Sequence, residues 1–353
     1  MKLLIVKLGA IGDIIHTLPA LSAIRRAFPA AEIDWVAERR SAEVLREHPI
    51  LNKLIEVDTR RWRSGTPVAT VLAEVGREIV GLRRAEYDIA IDLQGLIKSA
   101  AIAKACGAAE RWGFSRKDLR EPAGRLLLNH AVAMPPQMHV IHKNLTLAQT
   151  ALDIPVDDRI EFGIATSDAD CREAETIVAA IGPKFAILNP AGGWVTKLWH
   201  AEKFGMLADR IYAEHGLATV VATGPAETEL TERVLAASRL AKIIAVQPSL
   251  KGFFELVKLA DVYVGGDTGP THLAIAAGAP VVGIFGPTEW WRNGSLNPFD
   301  ICVERVDIAC RIDCHRRECS NWICMDIDVE TMAEAVARRL TSQNAAEPAI
   351  VVR

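Results

Sequence analysis

The stretch of residues 264–274 carries the residue types that bind a phosphate group. An apolar strand leads into the turn Asp267–Gly269, and an apolar helix follows with His272 in its first turn. Backbone N–H groups at a helix N-terminus attract anions, and Thr268 and Thr271 add hydroxyl donors. In an open parallel sheet, ligands bind at such turns, at the carboxyl ends of the strands. The stretch predicts a nucleotide or phospho-sugar site, and the alternative is an ordinary capped strand-to-helix turn.

Three polar residues elsewhere have the chemistry of a group-transfer reaction. Asp13 ends a glycine-containing turn after the first predicted strand, where it either takes a proton from an attacking hydroxyl or only caps the next helix. Lys197 follows the loop 192–196, so its ammonium either reaches a leaving diphosphate or belongs to an ordinary surface lysine. Glu227 follows a third strand end. A carboxylate there either accepts hydrogen bonds from ribose hydroxyls or stabilises the start of a helix through the helix dipole.

Basic residues in the first half form a second candidate site. This set, called the basic group below, consists of Arg60, Arg61, Arg63, Lys98 and Arg120. Arginine side chains bind carboxylates and phosphates through two parallel hydrogen bonds, so the basic group suits an anionic second substrate. The alternative is a set of solvated surface charges.

Seven cysteines are spread unevenly, and five of them lie in one segment of the second half. Four of these follow one another at intervals of four, five and five residues: Cys310, Cys314, Cys319 and Cys324. Four thiolates with His315 nearby can bind zinc tetrahedrally, but the strong CxxC spacing is missing. A reduced, partly buried loop is the equal alternative. Asp326 and Asp328 imitate the DxD pair of metal-dependent glycosyltransferases, and their place before a helix predicts capping instead.

Strands and helices alternate along both halves, and strand ends carry the candidate residues. The predicted strands are Leu3–Lys7, Glu32–Val36, Lys53–Val57, Tyr87–Leu93, Phe185–Asn189, Ala218–Ala222, Lys242–Val246, Val262–Gly265 and Pro280–Phe285. The predicted helices include Val68–Arg84, Lys98–Cys106, Ala201–His215 and Val329–Leu340. This alternation predicts an α/β fold of two Rossmann-like, doubly wound domains facing a cleft. We expect domains at 1–160 and 161–328, followed by a C-terminal helix and tail at 329–353.

Length and composition exclude several classes of protein. A chain of 353 residues fits two domains, and a net charge of −3 gives no basic field for nucleic acid. No apolar run reaches the length of a membrane span, and residues 1–5 read as a strand rather than a signal peptide, which predicts a cytoplasmic protein. The fingerprints of NAD enzymes and P-loop NTPases, GxGxxG and GxxxxGK[ST], are missing.

Five motifs together resemble the heptosyltransferase family of glycosyltransferases, which build the inner core of lipopolysaccharide. They are KLGAIGDIIHTLPAL at 7–21, RRWR at 60–63, DLQGLIKSA at 92–100, NPAGGWVTKLW at 189–199 and GGDTGPTHLAIAAGAPVVGIFGPT at 265–288. The resemblance covers nearly the whole chain. The second and third motifs look most like the first heptosyltransferase of the pathway.

The resemblance implies a glycosyltransferase B fold and an inverting reaction that needs no metal and no cofactor. The N-terminal domain would bind the acceptor, the Kdo region of lipid A, and the C-terminal domain the donor, ADP-L-glycero-D-manno-heptose. Asp13 matches the catalytic aspartate and Lys197 the lysine near the donor phosphates. The donor residues implied are Gly192, Gly193, Glu227, Asp267, Thr268, Gly269 and His272. The enzyme would work in the cytoplasm, peripherally attached to the inner membrane.

The sequence departs from the family at one place and leaves several alternatives open. Gly192 and Gly193 stand where the first enzyme usually carries hydroxyl residues, so backbone groups must do more of the phosphate binding. A later heptosyltransferase, a related nucleotide-sugar transferase and a nucleotide-sugar epimerase are the enzymatic alternatives. A nucleotide- or metal-sensing module is the non-enzymatic one, and it leaves Asp13 and Lys197 without roles. The oligomeric state cannot be read from the sequence.

Overall fold

The computed structural model describes residues 1–59, 76, 78–157, 159–310, 314 and 316–342. The chain divides into two compact units, Met1–Ala165 and Thr166–Arg353. Most of the predicted helix Val68–Arg84 lies outside the described residues, and residues 78–84 are helical. Within the described residues, no helix has the length and apolar character needed to cross a membrane.

Unit 1 is built on one six-stranded parallel sheet. Its strands are β1 (Lys2–Val6), β2 (Glu32–Glu38), β3 (Lys53–Val57), β4 (Ile89–Asp92), β5 (Glu110–Phe114) and β6 (His130–Val132). The helices with both ends in the described residues are α1 (Ile11–Ile15), α2 (Leu18–Ala27), α3 (Ile97–Ala105) and α4 (Val140–Leu152). Short 3-10 turns cover Arg39–Ser41, Glu43–Leu45, Arg116–Asp118 and Pro122–Leu127.

Unit 2 repeats the same plan with a second six-stranded parallel sheet. Its strands are β7 (Phe185–Asn189), β8 (Ala218–Ala222), β9 (Ile243–Val246), β10 (Val262–Gly266), β11 (Val281–Phe285) and β12 (Ile301–Glu304). The helices are α5 (Asp168–Ile181), α6 (Ala201–His215), α7 (Thr228–Ala237), α8 (Leu250–Val257), α9 (Gly269–Ala276), α10 (Trp290–Asn293) and α11 (Val329–Ser342).

The strand order of both sheets produces a reversal point in each unit. Sheet 1 runs β3-β2-β1-β4-β5-β6, and sheet 2 runs β12-β11-β10-β7-β8-β9, which is the same order counted within its own unit. The chain winds outward first on one side of β1 or β7 and then on the other. Right-handed crossovers place the connecting helices on both faces of such a sheet. The direction reverses between β1 and β4, and between β7 and β10, and ligands bind at this reversal point.

Buried aliphatic side chains on both faces of the strands hold each unit together. In unit 1, Leu4, Val6 and Ala90 pack with residues of α3. In unit 2, Val262, Val264 and their neighbours pack against α6 and α11. Strands buried on both faces are near-continuous apolar runs, which is why the sequence pattern located β1, β7, β8, β10 and β11 closely.

Three strands and several helices were not predicted from the sequence, among them α4, α5 and α8. β5, β6 and β12 are three to five residues long, and each carries polar or charged residues. β6 and β12 lie at sheet edges, where one side of a strand has no strand neighbour. The helix α4 was missed although it buries a long apolar face. β4 begins two residues later than predicted and ends one residue earlier, where Asp92 accepts hydrogen bonds from the amides of Gln94 and Gly95.

Candidate active site

Asp13 lies in the first turn of α1, directly after the carboxyl end of β1. Its Oδ2 accepts a hydrogen bond from the Ala10 amide at 3.2 Å, so the capping role is present. The side chain stays partly exposed, and the remaining lone pairs of the carboxylate can accept a proton or a hydroxyl group. Capping and general-base chemistry are therefore compatible at this residue, and the two alternatives of the sequence analysis do not exclude each other.

The turn after β10 holds a buried carboxylate surrounded by donors. The Oδ2 atom of Asp267 lies 2.5 Å from Lys197 Nζ, and its Oδ1 lies 3.1 Å from His272 Nε2. Asn293 Nδ2 donates to the same Oδ1 at 2.6 Å. The Lys197 ammonium also donates to the Asp267 carbonyl at 3.2 Å. This cluster ties the loop after β7 to the turn after β10, across the reversal point of sheet 2.

The surroundings of Asp267 keep it ionised. Burial by itself would raise its pKa, but the hydrogen bond from His272 and the charge of Lys197 outweigh burial and hold the pKa well below its usual range. A buried carboxylate that stays charged fixes the position of its cationic partner. The cluster therefore holds the Lys197 ammonium and the His272 imidazole at the carboxyl end of β10 in sheet 2.

Lys197 is largely buried and paired, so the surface-lysine alternative is wrong. Its Nζ lies 4.3 Å from the centre of the Trp194 ring, and the guanidinium carbon of Arg317 lies 5.1 Å from the same ring. The loop also approaches the next turn closely, because a Cβ on Gly266 would come within 3.1 Å of the Lys197 carbonyl. Arg317 thus adds a second cation beside the Trp194 ring, next to the Lys197–Asp267 ion pair, and guanidinium and ammonium groups both bind phosphates.

The helix α9 begins at Gly269, with Thr268 as its N-cap. Thr268 is partly exposed, and no side-chain hydrogen bond caps this helix. Pro270 has no N–H and the His272 amide donates to the Thr268 carbonyl, so the amides of Gly269 and Thr271 are the ones that an anion could use in this turn. Thr271 does not fit the expected role of a phosphate donor: it is fully buried, and its hydroxyl bonds Tyr263 Oη at 2.9 Å and the Gly266 carbonyl.

The remaining predicted donor residues border the same edge of sheet 2. Gly193 is exposed, and a Cβ there would meet nothing within 4 Å, whereas a Cβ on Gly192 would lie 2.7 Å from the Leu198 side chain. Glu227 Oε2 accepts the Gly224 amide at 2.7 Å and so closes the turn after β8. One carboxylate oxygen is engaged in that turn, which leaves the other for a ribose hydroxyl.

The structure describes two members of the basic group, Lys98 and Arg120. Lys98 Nζ lies 3.0 Å from Glu38 Oε1 and 3.0 Å from Thr59 Oγ1, and Glu38 is buried at the end of β2. Lys98 is therefore paired with a buried carboxylate, while 35% of its side chain stays exposed. Arg120 is exposed next to a 3-10 turn. Arg60, Arg61 and Arg63 lie outside the described residues.

The four spaced cysteines line one cavity in unit 2, behind Thr196 and the turn Gly286–Pro287. Backbone N–H groups of Trp322 and Asn321 lower the pKa of the Cys319 thiol, whereas burial raises that of Cys324. Among the described residues, no three Cys, His, Asp or Glu side chains are placed to hold a metal ion. His315 lies outside the described residues, and the zinc alternative stays a prediction. Asp328 Oδ1 accepts the Thr331 amide at 2.7 Å, which is the expected cap.

Several partners in the site carried no signal in the sequence. Asn293 reaches Asp267 from 26 residues away, and Glu38 reaches Lys98 from 60 residues away. Such contacts depend on which strands are neighbours and follow no local spacing. Trp194 is an exception, because it lies three residues before Lys197 in the motif at 189–199, and a tryptophan close to a lysine can indicate a cation–π contact.

Two doubly wound sheets, each with polar residues at its reversal point, are the architecture of the glycosyltransferase B fold. The sequence profile of glycosyltransferase family 9 (heptosyltransferase) matches residues 76–322. Lipopolysaccharide heptosyltransferase 1 of Pseudomonas aeruginosa is 32% identical over 82% of this chain and 79% of its own length. The same-named protein of Escherichia coli K12 is 28% identical over 82% and 89%. The chain belongs to glycosyltransferase family 9.

Solved structures confirm the predicted fold. Heptosyltransferase WaaC of E. coli with ADP superimposes with a TM-score of 0.78 at 25% identity, over 96% of this chain and all of the other. A family 9 glycosyltransferase of Veillonella parvula gives a TM-score of 0.80 at 22% identity, over 97% of each chain. Family membership makes the protein a glycosyltransferase, and the epimerase and sensor alternatives fall away.

Proposed function

We propose that the protein transfers heptose from ADP-heptose to the Kdo region of the lipopolysaccharide inner core. The observation that carries this is the Lys197–Asp267–His272 cluster at the reversal point of sheet 2, beside the N-terminus of α9. It offers the Lys197 ammonium to a diphosphate, and the start of α9 adds the backbone amides of Gly269 and Thr271. The relatives named lipopolysaccharide heptosyltransferase 1 support heptose transfer, and a WaaC structure with ADP supports an ADP-linked donor.

The proposed chemistry is a single displacement with inversion at the anomeric carbon. Asp13 takes the proton of an acceptor hydroxyl, and the oxygen forms a new bond to C1 of heptose from the face opposite ADP. The bond between C1 and the β-phosphate oxygen breaks, and ADP leaves with the bonding electrons. Lys197 and the N–H groups around Thr268 stabilise the charge that develops on the diphosphate. This ammonium and these N–H dipoles do the work for which other transferases use a divalent ion.

The donor contacts divide between direct and indirect ones. Thr268 and Gly269, with the backbone of Gly192 and Gly193, are proposed to bind the phosphates, and Glu227 the ribose. Asp267 acts through its partners, because its oxygens are already occupied by Lys197, His272 and Asn293. His272 is presented to the donor by the same carboxylate.

The acceptor is proposed to bind unit 1 through Arg120 and the segment containing Arg60, Arg61 and Arg63. Guanidinium groups fit the phosphates and carboxylates of a Kdo-bearing lipid A. The acceptor is a membrane lipid, so the enzyme would act as a peripheral protein on the cytoplasmic face of the inner membrane.

The test is a transfer assay with purified protein, ADP-heptose and Kdo-bearing lipid A in buffer containing EDTA. The expected product is the acceptor with one added heptose, identified by mass spectrometry. Matched reactions replace the donor with ADP-glucose or a UDP-sugar. Absence of the heptosylated lipid, or transfer only after magnesium or manganese is restored, would refute the proposal.

A further inference from the structure

The glycine-containing turn that carries Asp13 is held by unequal contacts on its two sides. On the β2 side, the backbone ladder continues past the strand: Lys7 N bonds the Val36 carbonyl at 3.2 Å, and Glu38 N bonds the Leu8 carbonyl at 3.0 Å. On the β4 side, the ladder ends with the bond from Leu93 N to the Val6 carbonyl at 3.1 Å, and the Lys7 ammonium donates to the Leu93 carbonyl at 2.6 Å. Because β4 ends there, the amides that follow β1 need another acceptor.

Gln94 supplies that acceptor. Its side-chain Oε1 accepts hydrogen bonds from Leu8 N at 2.9 Å and from Gly9 N at 3.0 Å. A carbonyl oxygen has two lone pairs, so this one is fully used by two consecutive amides of the turn. Gln94 thus replaces the missing strand neighbour at the reversal point of sheet 1. One of the two amides that it binds, that of Gly9, lies four residues before Asp13.

Gln94 is itself fixed by the turn that ends β4. The Oδ1 atom of buried Asp92 accepts from Gln94 N at 2.9 Å and from Gly95 N at 3.2 Å. Its Oδ2 accepts from the hydroxyl of Ser99, in the first turn of α3, at 3.0 Å. The chain from Ser99 through Asp92 to Gln94 is continuous, and it ends on the backbone that leads into α1.

The opposite wall of the turn leaves little freedom. Gly9 has φ +120°, which favours glycine, and a Cβ there would come 2.5 Å from Ser41 Oγ. The Ala10 carbonyl accepts the Ile14 amide at 3.1 Å, so the turn continues directly into α1. A shift of Leu8 or Gly9 would therefore move the helix that carries Asp13.

We infer that Gln94 is a positioning residue for the catalytic base: its side-chain carbonyl holds the turn 8–10 so that Asp13 meets the acceptor hydroxyl. This inference rests on the proposed role of Asp13. Misplacing a reacting group by about 1 Å costs on the order of 100-fold in rate, so a modest movement of the turn is enough to matter. Changes at Gln94 should therefore lower kcat and leave KM nearly unchanged, because neither substrate needs to touch Gln94.

The experiment compares Gln94→Leu, which removes the acceptor, with Gln94→Glu, which keeps it. We expect Gln94→Leu to lower kcat by about 10- to 100-fold with the KM of both substrates within about 2-fold of the parent. Gln94→Glu should keep kcat within a few-fold. Gln149→Leu is the matched control, because Gln149 lies in α4 and donates to the Asp157 carbonyl in the same unit. Thermal melts confirm that each variant is folded.

A double variant separates positioning of Asp13 from a general structural effect. If Gln94 acts through Asp13, adding Gln94→Leu to Asp13→Ala should cost no further activity, because the group it positions is gone. Should Gln94→Leu not fold, Gln94→Asn withdraws the same oxygen by one methylene and is expected to lose about 10-fold in kcat.

Four results would overturn the inference. They are a normal kcat for a folded Gln94→Leu or Gln94→Asn, a raised substrate KM, an equal loss in the Asp13→Ala background, and a Gln94→Glu variant as impaired as Gln94→Leu. The Asp13→Ala variant alone tests the proposed function. If it keeps the parent's kcat, the proposed base and the inference both fail; if it is inactive while Gln94→Leu is normal, only the inference fails.

Discussion

Asp13 combines two roles that are usually weighed as alternatives. Its carboxylate caps α1 through the Ala10 amide and remains partly exposed after β1. We predict that Asp13→Ala lowers kcat by about 10² to 10⁴, the usual contribution of a general base. Donor affinity measured by calorimetry should stay close to the parent's, because the proposed donor contacts lie in unit 2. Loss of the cap costs about 1 kcal/mol, which a thermal melt will detect separately.

For Asp13, a kcat near the parent's would remove this residue from the mechanism. A large loss of donor affinity would instead assign it to the donor site.

Lys197 is the residue for which the structure changes the expectation most. Its ammonium is held by Asp267 and covered by the Trp194 ring. We predict that Lys197→Ala raises the donor KM and lowers kcat, because a lysine on the diphosphate acts in both the ground and transition states. Stability should fall too, since the buried Asp267 carboxylate loses its cation.

The matched control for Lys197 is Lys258→Ala, which removes an exposed lysine that pairs with Glu255 in the same unit. Surface pairs of this kind contribute at most about 1 kcal/mol, so its kinetics should match the parent's. Unchanged kinetics in Lys197→Ala would contradict a role at the diphosphate.

At the scale of elements, buried Asp92 at the end of β4 should make the free energy of unfolding depend on pH. Burial raises the pKa of Asp92 to about 6, against the lowering effect of hydrogen bonds from Gln94, Gly95 and Ser99 and of the Lys7 charge. Between the unfolded pKa of about 4 and this value, the folded state binds the extra proton, so stability falls as pH rises.

We therefore predict that Asp92→Asn removes this dependence. Relative to the variant, the parent's free energy of unfolding should fall by roughly 3 kcal/mol between pH 4 and pH 7 and then level off. Denaturant titrations at several pH values measure the difference. A difference that stays flat, or that rises with pH, would show that Asp92 is not a raised, buried acid.

The elements also show how far the sequence could predict this molecule. The bounds of Phe185–Asn189 and Ala218–Ala222 were predicted to the residue, because strands buried on both faces are near-continuous apolar runs in the sequence. The partners of Asp267 and Lys98 could not be predicted, because Asn293 and Glu38 meet them only after the sheets form. The motifs placed the reactive residues at strand ends, and strand order then decided which ends are neighbours.

At the scale of the whole molecule, the acceptor is expected to bind through exposed arginines in unit 1. We predict that Arg120→Ala raises the acceptor KM and leaves the donor KM unchanged, and that the acceptor KM of the parent rises with ionic strength. Lys98→Ala is the comparison: it leaves buried Glu38 without its cation, so it should lower stability more than acceptor affinity. If Arg120→Ala weakened ADP-sugar binding instead, the two units would have the opposite roles.

The central claim is that the protein couples release of ADP to transfer of heptose onto a Kdo-bearing acceptor. The most direct measurement follows ADP release from ADP-heptose in EDTA, with and without Kdo-bearing lipid A, and counts heptosylated lipid in the same reactions. We predict one ADP per heptosylated lipid and very slow release without acceptor. ADP release at the same rate without acceptor, or no heptosylated product despite donor turnover, would contradict the account.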